Sequence, residues 1–152
     1  MEIFTSYFYQ IRFFKPNMIP LSTAVWDPKW YHDGKDQSHT FIDKNGVING
    51  LRVEALSPLG GCENLCRGPS GCAQVPSSCE FLKAYKAKLN KIDKDDYMRR
   101  IGNLCRKMQE QMGFTEDPIP VLIVHEAPSN ICSERGVLQE WAGCKELTYP
   151  IR

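Results

Sequence analysis

The sequence predicts a small α/β protein, with a mainly parallel or mixed sheet and helices packed on it in a three-layer, Rossmann-like arrangement. Three observations carry this. Pro118 to Val124 contains the unbroken apolar run Val121-Leu122-Ile123-Val124, as a strand covered on both faces requires. Ahead of it, two long segments repeat apolar residues at helical spacing, and behind it a helical segment and a last short strand follow. Helices alternating with buried strands form a sheet with helices on its faces.

The 152 residues suit one domain spanning 1–152. Glu2 to Tyr7 mixes β-branched and aromatic residues as a strand does, and Ile19 to Val25 reads likewise, with Pro20 tolerated near the strand start. Between them Tyr9 to Asn17 is a short connection ended by Pro16 and Asn17. Trp26 to Gly34 alternates turn residues with large aromatics, a loop built to hold something. Thr40 to Glu54 predicts a hairpin, with Asn45-Gly46 supplying a type I′ turn.

A cysteine-rich insertion follows at about 61–79. Ser77-Ser78-Cys79-Glu80 has capping-box spacing, and Phe81, Leu82, Tyr85, Leu89 and Ile92 place a helix over about 78–91. Asp93 and Asp96 open a second helix, whose stripe of Tyr97, Ile101, Leu104, Met108 and Met112 is stopped by Gly113. After the Val121 strand, Val137, Leu138 and Trp141 mark a helix from about Cys132, and Leu147 to Tyr149 a closing strand.

A formal net charge of +1 gives no basic footprint for extended contact with nucleic acid. The Lys83, Lys86, Lys88 and Lys91 run reads as a solvated helix face. The start carries an acid where a signal peptide needs a base, and no apolar run reaches bilayer length, so a cytoplasmic protein without a membrane partner is expected. Seven cysteines, an odd number without an export signal, fit reduced thiols serving a metal or chemistry better than disulfides. Cys62, Cys66, Cys72 and Cys79 form a thiolate set for a tetrahedral Zn²⁺ among flexible glycines. An iron–sulfur cluster is the lesser alternative, because the spacing matches neither usual ferredoxin pattern. Cys105 falls on a helix stripe and reads as core.

The stretch His125 to Arg135 is the principal candidate site. A strand end, a short loop and a helix start form the corner where open α/β sheets bind ligands. There the helix favours an anion and lowers the pKa of a cysteine such as Cys132. Arg135 offers a planar fork to phosphate, Ser133 and Glu134 add polar contacts, and His125 or Glu126 would carry a proton. If the N-terminal strands adjoin this one, Tyr7, Ser22 and Trp26 come toward Cys132, with Arg12 or Arg52 as a second charge. Aromatic side chains there suit a nucleobase or sugar ring.

Val121 to Pro128, followed by Cys132-Ser133-Glu134-Arg135 and Trp141, resembles the C-terminal signature of the DUF488 family, and Ile3 to Phe8 and Pro20-Leu21-Ser22 resemble its N-terminal strands. The family occurs in bacteria, archaea and bacteriophages and is named for its unknown function. The resemblance therefore implies a fold and a site more than an activity. Many members read Cys-His-Arg where this chain has Cys132-Ser133-Glu134-Arg135, which removes a base from that place.

The residues describe an anion-holding corner better than a complete catalytic set. The expected function is binding of a phosphorylated, nucleotide-like small molecule, as a sensor or a phage-type sequestering protein. The alternatives are a thiol-dependent hydrolase or transferase with Cys132 as nucleophile, acting on a nucleotide or glycosidic substrate, and a zinc-stabilised interaction module.

Overall fold

The apolar run that anchors the sequence reading becomes the strand around which the other strands are arranged. The computed structural model describes residues 2–58, 79–125 and 134–148. Strands β1 (Phe4–Tyr7), β2 (Met18–Ser22), β5 (Ile119–Val124) and β6 (Lys145–Glu146) form one sheet in the order β2-β5-β1-β6, every neighbouring pair parallel. A separate antiparallel pair joins β3 (Phe41–Ile42) to β4 (Ile48–Asn49). The helices are α1 (Glu80–Asn90), α2 (Lys94–Met112) and α3 (Arg135–Ala142).

Alternation along β5 divides the core. Leu122 and Val124 join Ile19 and Leu21 under Tyr85, Leu89, Ile101, Cys105 and Leu138, so α1, α2 and α3 cover one face. Val121 and Ile123 join Met18 on the other, packed by Phe8 and Ile11 from the 3-10 helix Phe8–Phe13, by Phe14 just after it and by Tyr31 from the 3-10 helix Lys29–His32. The sheet is thus covered twice, by α-helices on one side and 3-10 turns and loops on the other. The connections from β2 to β5 and from β5 to β6 cross the helical face in one direction, whereas that from β1 to β2 crosses the opposite face in the other. All three crossovers therefore share one hand, as parallel connections do.

Local chemistry sets the element ends. The Asp93 carboxylate accepts the Asp96 N–H at 3.1 Å to cap α2, and Gly113, at φ +77°, ends it in the left-handed region. Helix α1 begins at Glu80 with Cys79 as its N-cap and no side-chain cap, and Ser77 and Ser78 lie outside the described residues. Pro20 sits in β2 where, among the described residues, the outer side pairs only at Ser22, whose N–H donates to Leu51 O and whose carbonyl accepts from Val53 N–H, both at 2.9 Å.

Two local expectations change. The hairpin turn is not type I′, because Gly46 is at φ +80° while Asn45 is not in the left-handed region. Asp43 takes over instead, its carboxylate accepting the Asn45 and Val47 N–H groups at 2.8 and 3.1 Å. The last strand of the described residues is Lys145–Glu146, its register fixed by Phe4↔Lys145 and Thr5↔Glu146, with Leu147 and Thr148 beyond it and Tyr149 outside the described residues.

Cys105 is fully buried, and burial pushes its thiol up to about 12. Cys144 is pushed up to about 11 by burial and, secondarily, by the Glu146 carboxylate. Both thiols ionise near 9.0 when unshifted, so the folded chain holds these protons more tightly than the unfolded one. Their contribution to stability is full below about pH 9 and is lost as pH rises toward 11 and 12. Urea unfolding should therefore give a lower midpoint at pH 10 than at pH 8, and Cys105→Ala/Cys144→Ala should flatten that difference.

Candidate functional site

Parallel strands bring their carboxyl ends to one side of the sheet. There the chain leaves β1 and β5 in opposite directions, toward β2 and β6 respectively. A crevice between neighbouring strands whose connections diverge is where ligands bind in open α/β sheets. Phe8 follows β1, Trp26 follows β2 and His125 follows β5, and the structure brings the three together. The His125 ring lies 4.4 Å from Trp26, tilted by 55°, and 6.3 Å from Phe8. Phe8 in turn meets Trp30 edge-on at 6.2 Å. Trp26 is 58% and Trp30 49% exposed, and His125 is exposed, so solvent reaches this aromatic wall. Tyr31, from the same aromatic loop, is instead fully buried, and burial pushes its phenol far up.

Beside the wall, on the helical face, a polar ladder ties α3 to the sheet. Arg135, the first residue of α3, donates its Nε–H to Glu146 Oε1 at 2.7 Å, and its guanidinium carbon lies 5.7 Å from the centre of the Tyr7 ring. The same carboxylate oxygen accepts from Thr5 Oγ1 at 2.8 Å, and Gln139 Nε2 donates to Thr5 Oγ1 at 2.7 Å. Gln10 Nε2 donates to Tyr7 Oη at 2.8 Å. The sequence aims Arg135 outward at a ligand, whereas the side chain is only 7% exposed and engaged with Glu146. Glu134 is buried at the N-cap of α3, its carbonyl accepting the Leu138 N–H at 3.0 Å.

Ser22 turns away from this crevice. It is fully buried, and its hydroxyl donates to Asp27 Oδ1 at 2.5 Å. That oxygen also accepts from the Arg52 guanidinium at 2.6 Å, while Asp27 Oδ2 meets His32 Nε2 at 2.6 Å. His32 Nδ1 lies 2.9 Å from His39 O, so both ring nitrogens face oxygen acceptors. Arg52 continues to Ala24 O at 2.7 Å and Glu54 Oε1 at 2.7 Å. Burial works against its charge, but the Glu54 and Asp27 carboxylates outweigh that and hold its pKa above the ordinary value. The centre of the network is buried at Ser22, Asp27 and His32, so it frames the loop carrying Trp26 and Trp30 rather than touching a ligand.

That loop and the Arg52 charge stand out in the sequence, whereas Ser22, Asp27, His32 and Arg52 do not stand out there as a unit. The available signal was an aspartate and a histidine inside an aromatic-rich turn. Of the other predicted site residues, Glu126, Cys132 and Ser133 lie outside the described residues, as do Cys62, Cys66 and Cys72 of the proposed metal set. Cys79 is half-buried against Phe81 and Leu82 as a free thiol. Among the described residues no three His, Cys, Asp or Glu side chains gather as a metal site, and no helix is long and apolar enough to cross a membrane.

Compared with protein-family models, with curated proteins and with solved structures, the chain matches none.

Removing one partner from a buried ion cluster leaves the others desolvated and uncompensated, at a cost of about 3–5 kcal/mol. Asp27→Asn should lower the unfolding free energy by that order in urea titration. Glu54→Gln, at the exposed end of the same network, should change it by no more than about 1 kcal/mol.

Proposed function

We propose that the chain binds a phosphorylated, nucleotide-like small molecule at the carboxyl ends of β1 and β5. The observation that carries this reading is the solvent-facing wall of Trp26 and His125 at the crevice where the connections of those two strands diverge. A planar base gains apolar contact from such a wall, and the N–H groups at the start of α3 favour an anion. The resemblance of this corner to the DUF488 signature agrees with a ligand site there. The buried Asp27 network supports the reading indirectly, since it holds the loop that presents Trp26 in one geometry.

Titration with a panel of nucleoside mono-, di- and cyclic phosphates, followed by Trp fluorescence and calorimetry, tests this. At least one nucleotide should bind at one site per chain. Trp26→Ala should weaken it about tenfold or more, in line with roughly 1–3 kcal/mol for base stacking on an aromatic side chain. A panel without any Trp26-dependent binder would sink the proposal.

A further inference from the structure

At the opposite end of the strands a cleft of about 540 Å³ opens between the amino ends of β1 and β6, the first half of α2 and the end of α3. Ile3, Phe4, Met98, Ile101 and Ala142 give it an apolar lining. Of these only Ile101 is fully covered, and the other four are half-buried, leaving apolar surface facing the cleft.

Gly102 makes the cleft more than a gap between elements. It lies inside α2, where glycine is less favourable than alanine. Its backbone does not require glycine, for its φ is not in the left-handed region, unlike Gly113 and Gly143. Packing does not require it either, since a Cβ placed there would meet no atom within 4 Å. What its bare backbone does is keep the helix wall open on the cleft side.

The charges at the mouth select a sign. Arg99 and Lys145 line it and are exposed, and Lys94 Nζ reaches within 3.8 Å of the position a Cβ on Gly143 would take. Against these cations stand Glu2 on the lining and Asp96, which pairs with Arg99 and Arg100. Cations outnumber acids. Cys144 also lines the cleft, and its thiol, pushed up to about 11 by burial, stays neutral and behaves as a small apolar contact.

We propose that this cleft is a second ligand site, separate from the Trp26 wall, which takes a small amphipathic carboxylate. The apolar body lies along Ile3, Met98 and the bare face of Gly102, and the carboxylate sits between Arg99 and Lys145. The cleft accommodates a medium alkyl chain or a bicyclic aryl group.

Decanoate and 2-naphthoate, below any micellar concentration, serve as probes by calorimetry, with decylammonium as the charge-reversed control. Both acids should bind saturably, one per chain, and decylammonium should bind at least tenfold more weakly. Gly102→Leu, which fills the cleft, should cost at least tenfold in affinity for the acids. Should that variant fail to fold, Gly102→Ala decides, and is expected to raise the melting temperature while weakening both acids measurably. Arg99→Gln with Lys145→Gln should bring decanoate and decylammonium to similar affinities. The proposal is overturned by no saturable binding of either acid, by binding unchanged in the folded Gly102 variants, or by binding lost in Trp26→Ala instead. A dimer of the unliganded chain that Gly102→Leu dissociates would overturn it too, assigning the cleft to a second copy.

Discussion

The carboxylate of Asp27 is the point on which the irregular segment after β2 hangs. Between the end of β2 and Pro58 the chain has only short 3-10 turns and a two-residue strand pair, so backbone ladders cannot hold it. Asp27 gathers Ser22 from the sheet, His32 from the aromatic loop and Arg52 from the segment beyond the hairpin onto two oxygens. Arg52 then reaches Ala24 O, which Ser57 Oγ also bonds at 3.1 Å, so the loop is fixed from both ends. Such a cluster contributes less net stability than an apolar core of equal volume, but its directional bonds define one arrangement of the loop. That arrangement turns Tyr31 inward and leaves Trp26 and Trp30 facing solvent.

The sheet and the loop thereby complement each other. Parallel pairing of β1, β2 and β5 aligns their carboxyl ends, and Thr23 fastens the end of β2 to the end of β5 through N–H and hydroxyl bonds to Ile123 O at 2.9 and 3.0 Å. The aromatic wall is therefore mounted on three strands whose relative heights are set by the ladder. Opposite it, the Thr5, Glu146, Arg135 and Gln139 ladder secures the start of α3 to β1 and β6. The two polar systems flank the crevice on opposite faces of the sheet.

What the sequence made legible follows the range of the interactions involved. Helices α1 and α2 were readable because their apolar stripes, the Asp93 cap and the Gly113 stop are local signals. Strand β5 was readable because burial on both faces demands an uninterrupted apolar run. The Asn45-Gly46 pair misled, since Asp43 two residues earlier offered a competing closure of the same turn. The position of β6 depended on pairing with β1 across the whole chain, which no short window records. The same division holds at the site. The approach of Trp26 to the strand-end corner of His125 followed from strand order, whereas Ser22, Asp27, His32 and Arg52 meet only through the tertiary path of a loop. The sequence points Arg135 at a ligand because its partner Glu146 arrives from the far end of the chain, where no local pattern records the pairing.

The brevity of β6 has a consequence for how copies of this protein meet one another. An open parallel sheet has two outer strands, and a long bare outer strand is a template on which another chain can build. Here the outer side of β2 is engaged by residues 51–53 around Ser22, and β6 is only two residues long, one of them an exposed lysine. Among the described residues neither margin of the sheet offers an extended row of unsatisfied amides and carbonyls. Over the described residues, a sheet with so apolar a centre thus presents little template for sideways growth into assemblies of many chains.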